Sequence, residues 1–156
     1  LLVRRLFFVP VFLNFTYIEF FTNNEFIYWS NGILSSFIQY PYYLGPTHLI
    51  GEYLGNSNMS ANTGFLATGF MHFGYFGVFI YTVIATIIFN VINILIRKAN
   101  KFIVITIIFI PAQSLFMGSD LFTVLLTHGL FVVILMLFLY NDKRYNLIFG
   151  SNKLKL

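Results

Sequence analysis

The run from Gly74 to Ile96 is 23 residues long, carries no charged side chain and stops at Arg97-Lys98. About 20 apolar residues in a helix cross the hydrocarbon core of a bilayer. Such a run reads as a candidate membrane span, and composition agrees. The chain is 58% hydrophobic and 9% charged over 156 residues, with a mean hydropathy of +0.82. A soluble domain carries about 25% charged residues. The chain lacks polar surface for water, so it reads as an all-α integral membrane protein. The aromatic excess (21 Phe, 10 Tyr) is discounted, because an AT-rich genome yields the same mix. With no cysteine, disulfides and thiolate metal sites are excluded.

Two further apolar runs are candidate spans: 102–116, interrupted by Pro111, and Leu121–Tyr140, ended by Asn141-Asp142-Lys143-Arg144. About three transmembrane helices are therefore expected over 74–140. Arg97, Lys98 and Lys101 occupy one short loop, and Lys143, Arg144, Lys153 and Lys155 the tail over 141–156. With three spans these lie on one side, and Lys/Arg excess marks the cytoplasm. Residues 1–73 and the Gly118-Ser119-Asp120 turn then face outward. The net charge of +4 is topological and needs no nucleic acid. Arg5 and Glu19 bracket 13 residues, about 20 Å of helix, short of a core of about 30 Å. An N-terminal interfacial helix is favoured. A fourth span anchored by Arg4-Arg5 also obeys the charge rule. Residues 22–73 are rich in Asn, Gly and Pro and read as an outward loop with a short amphipathic turn near His48–Leu54. No internal repeat is visible. A start at Leu1 reads as the C-terminal portion of a longer protein.

The segment from Asn62 to Gly77, punctuated by Gly64, Gly69 and Gly74, is where this loop enters the first span. Non-helical backbone at membrane depth must be buried in protein or line a wet cavity. Gly74 and Gly77 suit close helix packing. Asn62 either caps the helix or reaches a substrate hydroxyl. Arg4 and Arg5 can bind phosphate through paired hydrogen bonds or can simply snorkel. Glu19, Glu25, Glu52 and Asp120 are outward acids; a carboxylate or histidine can take a hydroxyl proton, and solvation is the plainer role. Glu52, between Gly51 and Gly55, ranks highest. His48 and His72 share that side. His128, inside the third apolar run, is either a functional polar group or a helix–helix contact. Trp29, Tyr40, Tyr42 and Tyr43 suit sugar stacking or an interfacial belt. No His-x-x-x-His or Glu-x-x-His spacing occurs, so no metal or cofactor is expected.

Several of these stretches, in order, resemble the bacterial O-antigen polymerases, enzymes that join oligosaccharide repeat units. They are Arg5-Leu-Phe-Phe-Val-Pro10, Leu13-Asn-Phe-Thr-Tyr17, Trp29-Ser30, Tyr40-Pro-Tyr42, Asn62-Thr-Gly-Phe-Leu66 with Gly69 and Phe73-Gly74, and Leu121 to Gly129. The resemblance implies a polytopic enzyme of the bacterial inner membrane, of which this chain is a C-terminal fragment. It implies transfer of a growing glycan from undecaprenyl pyrophosphate to the next lipid-linked unit at the periplasmic face. On that hypothesis Arg5 binds pyrophosphate, Glu52 or His72 acts as base, and Arg4, Tyr17, Asn62, Gly64 and His128 contact substrate. Membrane lipids, a chain-length regulator and a flippase are the implied partners. The alternatives are a flippase or transporter of lipid-linked oligosaccharide and a non-catalytic membrane subunit. The first calls for polar residues lining several spans, and only Asn90, Asn93, Gln113 and His128 qualify. The second gives no reason for the long outward loop.

Overall fold

A computed structural model describes residues 3–32, 34–96 and 101–150; the side chains of 5, 6 and 141–150 fall outside that description. Arg97 and Lys98, the tail from 151, and the side chains of Arg5, Lys143 and Arg144, all used in the charge reading above, therefore lie outside the described residues. Every regular element among the described residues is helical. A π-helical stretch, Arg4–Phe8, leads into α1 (Val9–Asn23). There follow α2 (Pro46–Tyr53), α3 (Phe65–Ile96), α4 (Lys101–Met117), α5 (Leu121–Leu126) and α6 (Leu130–Gly150).

The first helix is longer than expected. Arg4 to Asn23 is 20 residues, about 30 Å, not about 20. Its last turn is held by side chains. Thr22 Oγ1 donates to the Ile18 carbonyl (2.6 Å), Asn23 Nδ2 to Glu19 (2.9 Å) and Asn24 Nδ2 to Phe20 (2.8 Å). Of these, the Phe20 carbonyl belongs to the last four of α1, which a helix C-terminus otherwise leaves open.

α3 is not one rod. Phe73 (φ −143°, ψ 22°) and Gly74 (φ +61°, ψ −143°) leave helical space, and the chain doubles back there. In a straight helix Gly69 and Gly77 would stand about 12 Å apart. Here a Cβ on Gly77 would lie 2.0 Å from the Gly69 carbonyl oxygen. α3 is therefore a helical hairpin, with a short arm over 65–73 and a long arm over 75–96. Gly77 serves close packing, as its sequence context suggests. Gly74 does more than pack: it takes the left-handed conformation that lets the chain reverse.

The long arm buries Tyr81, Ala85 and Ile92 on one stripe, the 4- and 7-residue spacing of a helix face. Its opposite face shows Phe79, Ile87 and Ile94. α4 repeats the pattern, with Val104, Ile108 and Leu115 inside and Phe102, Ile105 and Phe109 outside. The outward stripes are as apolar as the inward ones, and surfaces of this kind are covered by something other than water. Among the described residues, α3 is the helix apolar enough to cross a membrane, and since it reverses at Gly74 the crossing segment is its long arm over 75–96; α4 and Leu130–Tyr140 are shorter apolar helices. The third run expected as one helix, Leu121–Tyr140, is two. It breaks at Thr127–Gly129, where Gly129 takes φ +81° and ends the α5 ladder.

Two cores result. One joins Leu13, Tyr17, Phe20 and Phe21 of α1 to Ile27, to Leu49 and Ile50 of α2, and to the short arm of α3. The other joins the long arm to α4, α5 and α6. Gly64 links them: a Cβ there would meet the Phe116 carbonyl oxygen at 2.3 Å.

Candidate functional site

Residues 25–32 and 34–63 form a cap over the turn of the hairpin. The cap is tied down where the backbone is strained. Tyr28 and Trp29 have φ of 50° and 57°, a left-handed conformation costing non-glycine residues about 1–2 kcal/mol each. The Ile27 N–H donates to the Met71 carbonyl (3.0 Å) and the Trp29 N–H to His72 Nδ1 (3.1 Å). The Trp29 indole N–H donates to the Tyr81 hydroxyl (2.9 Å). The indole also packs edge-on against Phe73 and Phe122. The Asp120 carboxyl lies beside the same Tyr81 hydroxyl. Asp120 Oδ2 accepts from the Phe122 N–H (3.1 Å) and so caps α5, while Oδ1 is buried and accepts no hydrogen bond by strict geometry. A buried carboxylate oxygen retains strong acceptor demand, and the Tyr81 O–H, whose oxygen accepts from Trp29, is the donor at hand. His72, Trp29, Tyr81 and Asp120 thus make one polar node between the cap and the helices.

The cap's outer surface carries carboxylates met by tyrosines. Tyr43 donates to Glu52 Oε2, and Tyr53 donates to Glu19 Oε1 at 3.2 Å. These contacts raise both phenol pKa values: the hydrogen bond to Glu52 leads for Tyr43, and the charge of Glu19 leads for Tyr53. Tyr40, donating to the Leu44 carbonyl (2.6 Å), is pushed up to about 12 by burial and then by Tyr42. From Leu6 to Ile96 the chain holds Glu19, Glu25 and Glu52 and no Lys or Arg.

The residues singled out from sequence are dispersed. The Arg5 side chain lies outside the described residues. Arg4 is exposed at the start of the first helix. Phe7, one turn on, shares a groove with Phe109, Ala112, Gln113, Phe116 and Met117 of α4. Arg4 therefore stands at the flank of the bundle, about 28 Å of helix from Asn23 and the cap. It does not share a site with Glu52, which is exposed on α2 near the far end of α1. His72 is buried (3% exposed), with Nδ1 occupied by the Trp29 N–H. It positions the cap and is shielded from solvent. Tyr17 is buried and donates to the Ala61 carbonyl (3.0 Å). Asn62 is exposed; its N–H donates to the Ser60 carbonyl, and its side chain accepts from Ser60 rather than capping α3. Gly64 is a packing contact. His128 sits exposed in the α5–α6 break, with Nε2 3.2 Å from Ser119 Oγ, not inside a span. Among the described residues no group of three His, Cys, Asp or Glu could hold a metal ion.

The node itself was not legible as a unit, although each member is conspicuous in the chain. Trp29 is the only tryptophan, Tyr81 the only tyrosine between Phe76 and Ile96, and Asp120 the only acid between Glu52 and Asp142. Comparison with protein-family models, with curated proteins and with solved structures finds no match.

Proposed function

We propose that the chain forms the outward-working end of a polytopic bacterial membrane enzyme that polymerises lipid-linked oligosaccharide repeat units. On this proposal it lies in the cytoplasmic membrane, with the helices over 74–140 entering or crossing the bilayer. The cap over 25–63 stands in the periplasm, and Lys101 marks the cytoplasmic end. The anomeric C–O bond to undecaprenyl pyrophosphate breaks, and a glycosidic bond forms to a hydroxyl of the next lipid-linked unit. The hydroxyl proton passes to a base, and the pyrophosphate departs as an anion.

One observation carries the proposal: an acidic cap closes one end of a bundle whose sides are apolar. The distribution of charge along the chain agrees, since its basic clusters flank the apolar runs at the other end. The ordered resemblance from Arg5 to Tyr140 supplies the reaction class. Arg4-Arg5, at an apolar flank, calls for an anionic partner, and a lipid pyrophosphate provides one through charge-assisted hydrogen bonds. Glu52, solvent-exposed and accepting from Tyr43, stands at the far end of α1 from Arg4-Arg5 and is therefore not the base for a reaction whose leaving group those arginines hold. His72 acts by holding Trp29. A flippase and a chain-length regulator are the partners such an enzyme would work with.

The test uses a strain whose surface polysaccharide depends on the full-length protein. Arg5→Ala is expected to abolish long chains and leave single repeat units, with the protein still inserted. A normal chain-length ladder from that variant removes Arg5 from the mechanism. Loss of all outer-leaflet lipid-linked units in a deletion strain assigns the protein to flipping instead.

A further inference from the structure

The cap is held through an atom that acid can titrate. The Trp29 N–H donates to His72 Nδ1 at 3.1 Å. A backbone N–H can only donate, so Nδ1 carries a lone pair and the neutral ring keeps its proton on Nε2. A proton arriving at Nδ1 turns this acceptor into a donor, and two donors then face each other. The surroundings do nothing to welcome the cation. His72 is buried among Trp29 of the cap, Phe73 of the hairpin turn and Tyr81 of the long arm. Tyr81 is the titratable group that faces it, and Asp120, from the turn before α5, stands beside the Tyr81 hydroxyl. On the other elements packed with the short arm, Glu19 of α1, Glu25 of the cap and His48 and Glu52 of α2 are all exposed. Burial is the one cause that lowers the His72 pKa, from 6.5 to about 4, so among the described residues no carboxylate stands ready to stabilise the imidazolium.

We propose that His72 is an acid-released latch: protonation of Nδ1 breaks its bond to Trp29, and the cap lifts from the hairpin to uncover Tyr81 and Asp120. The closed cap favours release once the bond is gone, because Tyr28 and Trp29 sit at φ of 50° and 57°, a conformation that side chains other than glycine leave when nothing holds them. The other two ties run from the Ile27 N–H to the Met71 carbonyl and from the Trp29 indole to the Tyr81 hydroxyl. Neither of those pairs titrates in acid, so the acid response of the ties falls to His72. Its sign follows from the burial. The closed state holds the ring neutral and the open state lets it charge. Closure is therefore fully favoured above pH 6.5, and the closed-to-open ratio falls by up to about tenfold per pH unit as the pH drops from 6.5 toward 4. The inference concerns the cap alone and does not rest on the polymerase reading.

The experiment uses the whole chain in phospholipid nanodiscs, with His48 and His128 replaced by Gln so that His72 is its one imidazole. Emission of Trp29, the lone tryptophan, is followed from pH 7.5 to pH 3.5. In this parent it should shift to the red below pH 6.5 and return on neutralisation. His72→Asn offers Trp29 an amide oxygen that acid does not protonate, so its emission should match the parent at pH 7.5 and stay flat. His72→Phe keeps an aromatic ring and removes the acceptor, so its emission should be red at every pH. The carboxylates, Asp120 included, are shared by all three proteins and drop out of the comparison. Nitrogen-15 histidine NMR on the parent gives a reading that needs no change at the latch: Nδ1 should be bare at pH 7.5 and gain its proton in step with the Trp29 shift. The proposal is overturned by a proton on Nδ1 at pH 7.5, by parent emission that does not move down to pH 3.5, or by an acid shift in His72→Asn equal to that of the parent. Any of those results leaves the polymerase proposal standing, since that proposal is judged by the chain-length ladder.

Discussion

The Trp29 indole N–H donates to the Tyr81 hydroxyl at 2.9 Å, joining residues 52 positions apart in the cap and in the long arm of α3. The bond sits between strained backbone on one side and a buried carboxylate on the other. It is the clearest point at which the cap and the helices can be uncoupled by one atom.

Tyr81→Phe removes that atom and leaves the indole N–H without its partner. A loss of about 1 kcal/mol is expected, rising toward 3 if the N–H stays dry. The lone tryptophan reports on it directly. Its emission should shift to the red as the cap loosens, and the thermal midpoint in detergent should fall. An unchanged spectrum and midpoint would show that the indole has another partner.

Gly77→Ala tests the hairpin. The new Cβ would lie 2.0 Å from the Gly69 carbonyl oxygen, against backbone that cannot rotate away. Overpacking of this kind costs about 1–3 kcal/mol, and more where nothing can shift. The short arm should separate from the long one, exposing 65–73 to limited proteolysis. Gly32→Ala, where no atom lies within 4 Å, should behave as wild type in the same digest.

Asp120 has two separable roles. Asp120→Ala removes the acceptor that caps α5 and should cost about 1 kcal/mol. Asp120→Asn keeps a cap through its amide oxygen and discharges the buried side, so it should be the more stable of the two. Thermal unfolding of both variants in the same nanodiscs ranks them, and the reverse order would refute the cap.

Alkaline pH should loosen the cap before the helices melt. Tyr40 has its pKa raised in the folded state, from 10.0 to about 12, chiefly by burial. A raised folded pKa means stability that is fully present below pH 10 and lost as pH rises through about 12. Phenolate absorbance and tryptophan emission, followed from pH 9 to pH 12.5, should show Tyr40 ionising together with loss of cap structure. Tyr40→Phe removes that contribution. Ionisation of Tyr40 near pH 10 with the cap intact would contradict its burial.

Much of the helical layout was legible from spacing alone. The run ending at Ile96 announced a helix, and its start at Gly74 falls on the reversal in α3. The Pro46–Tyr53 helix lies where the short amphipathic turn was expected. Other features depended on contacts that a linear pattern does not carry. Periodicity over Leu121–Tyr140 is continuous, so it gave no sign of the break at Gly129. His128 consequently lies in an exposed turn. α1 runs on to Asn23, where the side chains of Thr22, Asn23 and Asn24 fold back onto its carbonyls, a contact that residue type alone leaves open.

Sequence by itself determined the distribution of charge and apolar side chains. Both are sums over residues: 9% charged, acids alone from Leu6 to Ile96, and basic clusters beside the apolar runs. Tertiary structure alone decided which polar groups meet. His72 was an available base until the Trp29 N–H occupied its Nδ1. Glu52 and Arg4 were neighbours only on a one-dimensional count of outward residues. Trp29, Tyr81 and Asp120 lie far apart along the chain, and it is the reversal at Gly74 and the turn before α5 that bring them within hydrogen-bonding reach.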